Sequence, residues 1–214
     1  MIKRYNYIIW DFNGTLLDDV QTGILSVNKL LFDRGLKQID GVEHYRSIFR
    51  FPIIDYYRDL GFDFDKESYE ELAPQWVELY LENVKNARLF PDVINTLSVL
   101  KKQGIVQVIL SATEREMLVG QLKDLGIEEY FDEVLGLDNI HAGSKLALAN
   151  DWRNRHPEAK SLLIGDTDHD VQTARALEAD CRLVCRGHQS KDFLSSLGVS
   201  VYDNLSDVFG DLKY

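Results

Sequence analysis

The chain has 214 residues, 45% of them hydrophobic, with 24 Lys and Arg against 35 Asp and Glu. The net charge of −11 argues against a nucleic-acid partner, because neutralising a phosphate backbone takes clustered Lys and Arg. Ten Tyr, ten Phe and three Trp are enough for a substantial core, and a charged fraction of 28% is ordinary for a folded domain.

No apolar stretch approaches the roughly 18 residues that a membrane span needs. The apolar run after Lys3 and Arg4 stops at Asp11, too early for a signal peptide. Cys181 and Cys185 stand four apart in a strand-like run, which separates them by about 13 Å and excludes a disulfide. The expectation is a soluble cytoplasmic protein with reduced thiols, working as a monomer on a small substrate.

The first predicted strand runs from about Tyr5 to Trp10 and ends at Asp11. A helix is predicted over Val20–Arg34, because Val20, Ile24, Val27 and Leu31 share one face. Residues 41–87 are rich in aromatics and acids at helical spacing. Helical turns over Ser47–Leu60 should break at Pro52, and a later helix carrying Leu72, Trp76, Leu79, Tyr80 and Val84 should kink or break at Pro74.

From Phe90 onward helices and strands alternate. Pro91 suits the first position of a helix reaching Gly104. Strands follow at 105–110, 133–135, 161–164 and 181–184, with helices between them, one starting after a Ser144 cap and one over 168–178. A short helix, a weak strand and a final turn complete the chain. Alternation at this spacing predicts an α/β fold, a Rossmann-like parallel sheet with helices on both faces. The domain reading is a core of residues 1–17 and 88–214 and an inserted α-helical cap of residues 18–87, placed to act as a lid.

Four polar clusters each follow a predicted strand: Asp11-Phe12-Asn13-Gly14-Thr15, Ser111-Ala112-Thr113, Lys145 at a helix start, and Gly165-Asp166-Thr167-Asp168-His169-Asp170. A parallel sheet brings all such strand ends to one edge. Carboxylates for a hard cation, a hydroxyl and helix-start amides for phosphate oxygens, and a lysine are what Mg²⁺-dependent phosphoryl transfer requires.

In this order the clusters resemble the motifs of the haloacid dehalogenase-like (HAD) hydrolase superfamily, along essentially the whole chain. The branch it is most similar to includes phosphoglycolate phosphatase and carries a helical cap after the first strand. The resemblance implies a Mg²⁺-dependent phosphatase for a small phosphorylated metabolite, with Asp11 the nucleophile that forms an aspartyl-phosphate. It implies a metal held by Asp11, the Asn13 backbone carbonyl and Asp166, with Asp170 supporting it. Ser111 and amides near Asn13 and Ala112 would hold the phosphoryl group, and Lys145 would neutralise charge beside it.

Asn13 departs from the family pattern, which has an Asp there that protonates the leaving alcohol and then activates water. An amide can do neither. Asp18, Asp19 and His169 are the nearest titratable groups in sequence. Two rival readings follow from the departure. One is a phosphonate-cleaving relative that uses a cap lysine, among Lys29, Lys37, Lys66 and Lys85. The other is a low-activity or non-catalytic phosphometabolite-binding protein. Arg46 and Arg50 in the cap are candidates for contact with an anionic substrate tail.

Overall fold

Ile8, Ile9 and Trp10 are all fully buried, as a strand covered on both faces requires. They belong to β1 (Tyr7–Trp10) of a computed structural model that describes residues 4–138 and 145–210. After β2 (Leu17–Asp18) come four helices, α1 (Val20–Asp33), α2 (Gly41–Ile48), α3 (Ile53–Asp59) and α4 (Tyr69–Val84). The chain continues through β3 (Arg88–Leu89), α5 (Val93–Lys102), β4 (Val106–Glu114), α6 (Arg115–Asp124) and β5 (Glu133–Leu137). It ends with α7 (Lys145–Arg155), β6 (Ser161–Gly165), α8 (Asp168–Ala176), β7 (Asp180–Val184), α9 (Lys191–Ser195), β8 (Ser200–Tyr202) and α10 (Leu205–Val208).

Six strands form one sheet in the order β5-β4-β1-β6-β7-β8, and every pairing is parallel. This is the predicted α/β architecture. Strand alternation divides the core. Ile8 and Trp10 point to the face covered by Leu97 of α5, Leu118 of α6 and Val208 of α10. Ile9 points to the opposite face, against Ala149 and Trp152 of α7 and Ala174 of α8. β1 lies between β4 and β6, where the strand order reverses, and open α/β sheets place their ligands at the carboxyl ends of the strands there.

The helices α1–α4 leave and rejoin the sheet at one place, because β2 and β3 pair antiparallel through Leu17 with Leu89 and Asp18 with Arg88. They bury a cluster of their own. The predicted face of α1, Val20, Ile24, Val27 and Leu31, packs with Tyr45, Tyr56, Tyr57 and Leu72.

Several expectations shift. α4 is not broken at Pro74. A capping box of Ser68 and Glu71 fixes its start, and burial of Leu72, Ala73 and Tyr80 carries it past the missing proline N–H. Pro91 stands two residues ahead of α5 rather than in its first turn, since the Asp92 side chain is engaged by Arg186 and by the Leu205 amide. β4 runs on through Ser111 to Glu114, and the Glu114 carboxylate caps α6 by accepting from the amides of Glu116 and Met117. The amides at Ser111 and Ala112 are therefore not helix-start amides. The proposed Ser144 cap lies outside the described residues. Among the described residues no helix is long and apolar enough to cross a membrane.

Leu72→Ala should cost about 2–5 kcal/mol, because Leu72 is fully buried in the helical cluster. Leu25→Ala, half-exposed on the same helical unit, should cost within about 0.5 kcal/mol. Urea midpoints of the two variants check this, and equal losses would contradict the packing described.

Candidate active site

Asp11 follows the last residue of β1, and Asp166 follows the last residue of β6. The Asp11 amide donates to the Ile164 carbonyl at 2.9 Å, which ties the two strand ends together. Asp170 lies in the first turn of α8, and Lys145 is the first residue of α7. Asp11, Asp166 and Asp170 are all buried and each has a carboxylate oxygen within 4.8 Å of the others. The Lys145 ammonium, also buried, donates to Asp11 and to Asp170.

Each acid is oriented by further bonds. Asp166 accepts from the Thr15 hydroxyl at 2.9 Å and from the His188 amide at 2.7 Å. Asp170 Oδ2 accepts from the amides of Asp166 and Thr167 and from the Thr167 hydroxyl, at 3.1, 3.0 and 2.7 Å. Two glycines allow the approach. Gly14 has φ +71°, and a Cβ there would lie 2.3 Å from Asp166 Oδ2. A Cβ on Gly165 would lie 2.2 Å from Asp170 Cγ.

Asn13 stands beside this group in a second network. Its Nδ2 donates to Asp19 Oδ2 at 2.8 Å and lies 2.7 Å from the Tyr80 hydroxyl, which itself donates to Asp19 at 2.7 Å. Its Oδ1 accepts from the Thr113 hydroxyl at 2.9 Å, and Ser111 donates to Thr113 at 3.1 Å. His188 completes the group. Its Nε2 is 3.3 Å from Asp19 Oδ1 and its Nδ1 is 2.8 Å from the Tyr45 hydroxyl. Asp11, Asn13, Ser111, Ala112, Lys145 and Asp166 all open onto one cavity of about 480 Å³.

A family model for haloacid dehalogenase-like hydrolases matches residues 8–184. The chain belongs to this family. It is 27% identical to a phosphoglycolate phosphatase of Nitrosococcus oceani over 97% of this chain and 96% of that protein. It is 26% identical to the phosphoglycolate phosphatase of Aquifex aeolicus over 85% of each chain. Among solved structures, a haloacid dehalogenase-like family protein from Streptococcus pneumoniae superposes with a TM-score of 0.82 at 19% identity, over 99% of this chain and all of that one. A predicted phosphoglycolate phosphatase from Haemophilus somnus gives 0.77 at 20% identity, over 98% of this chain and 99% of that one. At such identities the structural likeness speaks to the fold alone.

Within this hydrolase the residues named from sequence divide clearly. Of the titratable groups near Asn13, Asp19 is buried against it and Asp18 is exposed on β2. His169 lines the cavity with its ring stacked on Phe51 at 4.8 Å. Arg46 is turned away, donating to the carbonyls of Arg186 and Gly187, and Arg50 pairs with Asp59 at the surface. Neither lines the cavity. His188 and Tyr45 carry no sequence signal of their own, and Tyr80 reads from sequence only as part of the apolar stripe of α4. His188 stands beyond Cys185, Arg186 and Gly187 after β7, past the reach of the strand-end rule that marked Asp11 and Asp166.

Three buried carboxylates face one ammonium, and their oxygens are hard ligands. That donor set suits a hard divalent cation. Burial, then repulsion from Asp170 and Asp166, raises the Asp11 carboxyl well above its ordinary range despite Lys145. Burial chiefly pushes Asp166 up to about 6. Burial also acts to raise Asp170, but the Lys145 charge and hydrogen bonds overcome it and hold that carboxyl low.

Burial alone would lower the His188 imidazole, yet the Asp19 carboxylate, with Asp166 and Asp11 behind it, pushes it up to about 9. The unfolded value is about 6.5. Stability from this contact is therefore full below about pH 6.5 and lost as pH rises through about 9, an effect of order 1–3 kcal/mol. In metal-free buffer the unfolding free energy should fall over that interval, and His188→Gln should remove this part of the fall. An identical pH slope in both proteins would contradict the assignment.

Proposed function

We propose that this hydrolase is a Mg²⁺-dependent phosphatase of small phosphorylated metabolites that works through an aspartyl-phosphate on Asp11. The observation that carries the reading is the buried Asp11 carboxylate, grouped with two further acids and a lysine and opening onto a cavity. The phosphatase names of its relatives support the same class. Residues 1–17 and 88–214 act as the core domain in this reading, and residues 18–87 as a cap that roofs the site and excludes water. The enzyme is a cytoplasmic monomer acting on a free metabolite.

Asp11 attacks phosphorus, and the resulting acyl phosphate is then hydrolysed. Both partners in the first step are anions, so the site has to remove their repulsion. Asp11, the Asn13 carbonyl and Asp166 would hold Mg²⁺, with Asp170 supporting it directly or through water. The bound cation supplies Lewis-acid stabilisation of charge on the phosphoryl oxygens. Lys145 orients the Asp11 carboxylate and neutralises it on one side. Ser111 and the Ala112 amide bind the phosphoryl oxygens, which requires the Ser111 hydroxyl to turn from Thr113 to the ligand.

Asn13 fits its surroundings as an amide. It donates to the Asp19 carboxylate at 2.8 Å, where an ionised Asp would meet a like charge. The phosphonate-cleaving alternative requires a cap amine at the substrate. Lys29 and Lys66 pair with Asp33 and Asp63 on the surface, Lys37 and Lys85 are exposed, and none of the four lines the cavity. The binding-only alternative differs from the proposal in turnover alone.

Soaking with Mg²⁺ and beryllofluoride should place the phosphoryl mimic on an Asp11 oxygen, and a mimic bound elsewhere would overturn the proposal. Asn13→Asp should increase kcat on an alkyl phosphate by about 10²–10⁴-fold, the usual worth of a general acid. The new carboxyl shares a proton with Asp19 and is thereby kept able to donate it. An unchanged kcat would remove position 13 from the proton-transfer path.

A further inference from the structure

The cavity above Asp11 is polar at its floor and aromatic in its walls. Tyr45, Phe49, Phe51, Tyr57, Tyr69 and Trp76 face it from the helical unit, and no Arg or Lys of that unit lines it. Among the described residues, the cations that do reach it are already engaged. Lys145 is held by Asp11 and Asp170, and His188 by Asp19. Asp19 and Glu114 add negative charge to the lining. A substrate tail bearing a carboxylate would therefore lose its hydration with no free cation among the described residues to meet it, inside a chain of net charge −11. An uncharged ring would instead find aromatic faces to pack against, in a volume of about 480 Å³ that is ample for one or two rings.

Asn13 bears on the same question independently. The amide is fixed by Asp19, Tyr80 and Thr113 and has no proton to transfer to a departing oxygen. With no acid at position 13, a leaving group that departs readily as an anion is favoured. A phenol releases its proton near pH ~10, whereas an alkanol holds it about as tightly as water does, near ~15.7. Only the first leaves readily without an acid.

We propose that the substrate is an aryl phosphate monoester, a phosphate carried on the hydroxyl of an uncharged aromatic ring. The inference rests on the phosphatase reading above. An Asp11 oxygen forms its bond to phosphorus as the bond from phosphorus to the aryl oxygen breaks. The bonding pair leaves on that oxygen, and the phenolate takes its proton from solvent. Water then attacks the aspartyl-phosphate. Asp11 leaves as a carboxylate, itself a good leaving group, and both protons of the water end on the released phosphate.

The test is phosphate release by the wild-type chain with Mg²⁺ from phenyl phosphate, cyclohexylmethyl phosphate and 2-phosphoglycolate. The first two fill the cavity alike and differ in leaving group. The third is small and carries a carboxylate. Phenyl phosphate should exceed cyclohexylmethyl phosphate in kcat/KM by about 10²-fold or more, the worth of the missing acid. Cyclohexylmethyl phosphate should exceed 2-phosphoglycolate by roughly tenfold or more, the scale on which pocket contacts discriminate. Trp76→Ala should raise KM for phenyl phosphate and leave that for 2-phosphoglycolate unchanged.

Equal turnover of the aryl and alkyl esters overturns the proposal, as does 2-phosphoglycolate turned over as well as phenyl phosphate. So does a Trp76→Ala effect that is the same on both. These outcomes leave the phosphatase reading standing. Release from none of the three esters, with no beryllofluoride on Asp11, overturns that reading itself.

Discussion

The Lys145 ammonium lies between the carboxylates of Asp11 and Asp170, with Asp166 close enough to complete a triangle of oxygens. Burying one such acid without a partner is expensive, and burying three together is more so. Much of the nearby structure answers that cost. The amide of Thr167, the Thr15 hydroxyl and the amide of His188 all point at these acids. Gly14 and Gly165 clear the space they need. Asp170 sits in the first turn of α8, where the helix dipole favours negative charge. One ammonium faces three carboxylates, and their clustered oxygens suit a hard divalent cation.

The helical unit covers this charged floor. It contributes Tyr45 and Tyr80, whose hydroxyls meet His188 and Asp19, so its position is coupled to the core by named hydrogen bonds. Arg46 adds two bonds to the carbonyls after β7. The remaining wall is aromatic. In the proposed reading the floor handles phosphate and the cap reads what the phosphate is attached to. Asn13 sits at the junction of the two, bonded to Asp19 of the chain entering the cap, to Tyr80 of α4 and to Thr113 of β4.

Much of this was legible in the sequence because a parallel sheet has a simple rule. Apolar runs become buried strands, and whatever polar residue follows each run arrives at one edge. Asp11, Ser111 and Asp166 follow that rule, and the stripe on α1 follows from its spacing. The rest depended on tertiary contacts. Arg46 and Arg50 carry the right charge for an anionic tail, but their partners, carbonyls after β7 and Asp59, are fixed by packing and not by spacing. Pro74 reads as a break, yet side-chain burial holds α4 continuous. His188 follows a strand that looked unremarkable, and its importance depends on Asp19 and Tyr45, which are distant in sequence.

The buried acids are proposed as the site of a divalent cation. Calorimetric titration of the metal-free chain with Mg²⁺, alongside its unfolding free energy, tests this most directly. A single Mg²⁺ should bind per chain and stabilise it by about 2.7 kcal/mol at a hundredfold excess over Kd, with both effects lost in Asp166→Asn. No heat of binding in the wild type, or equal binding in Asp166→Asn, would contradict it.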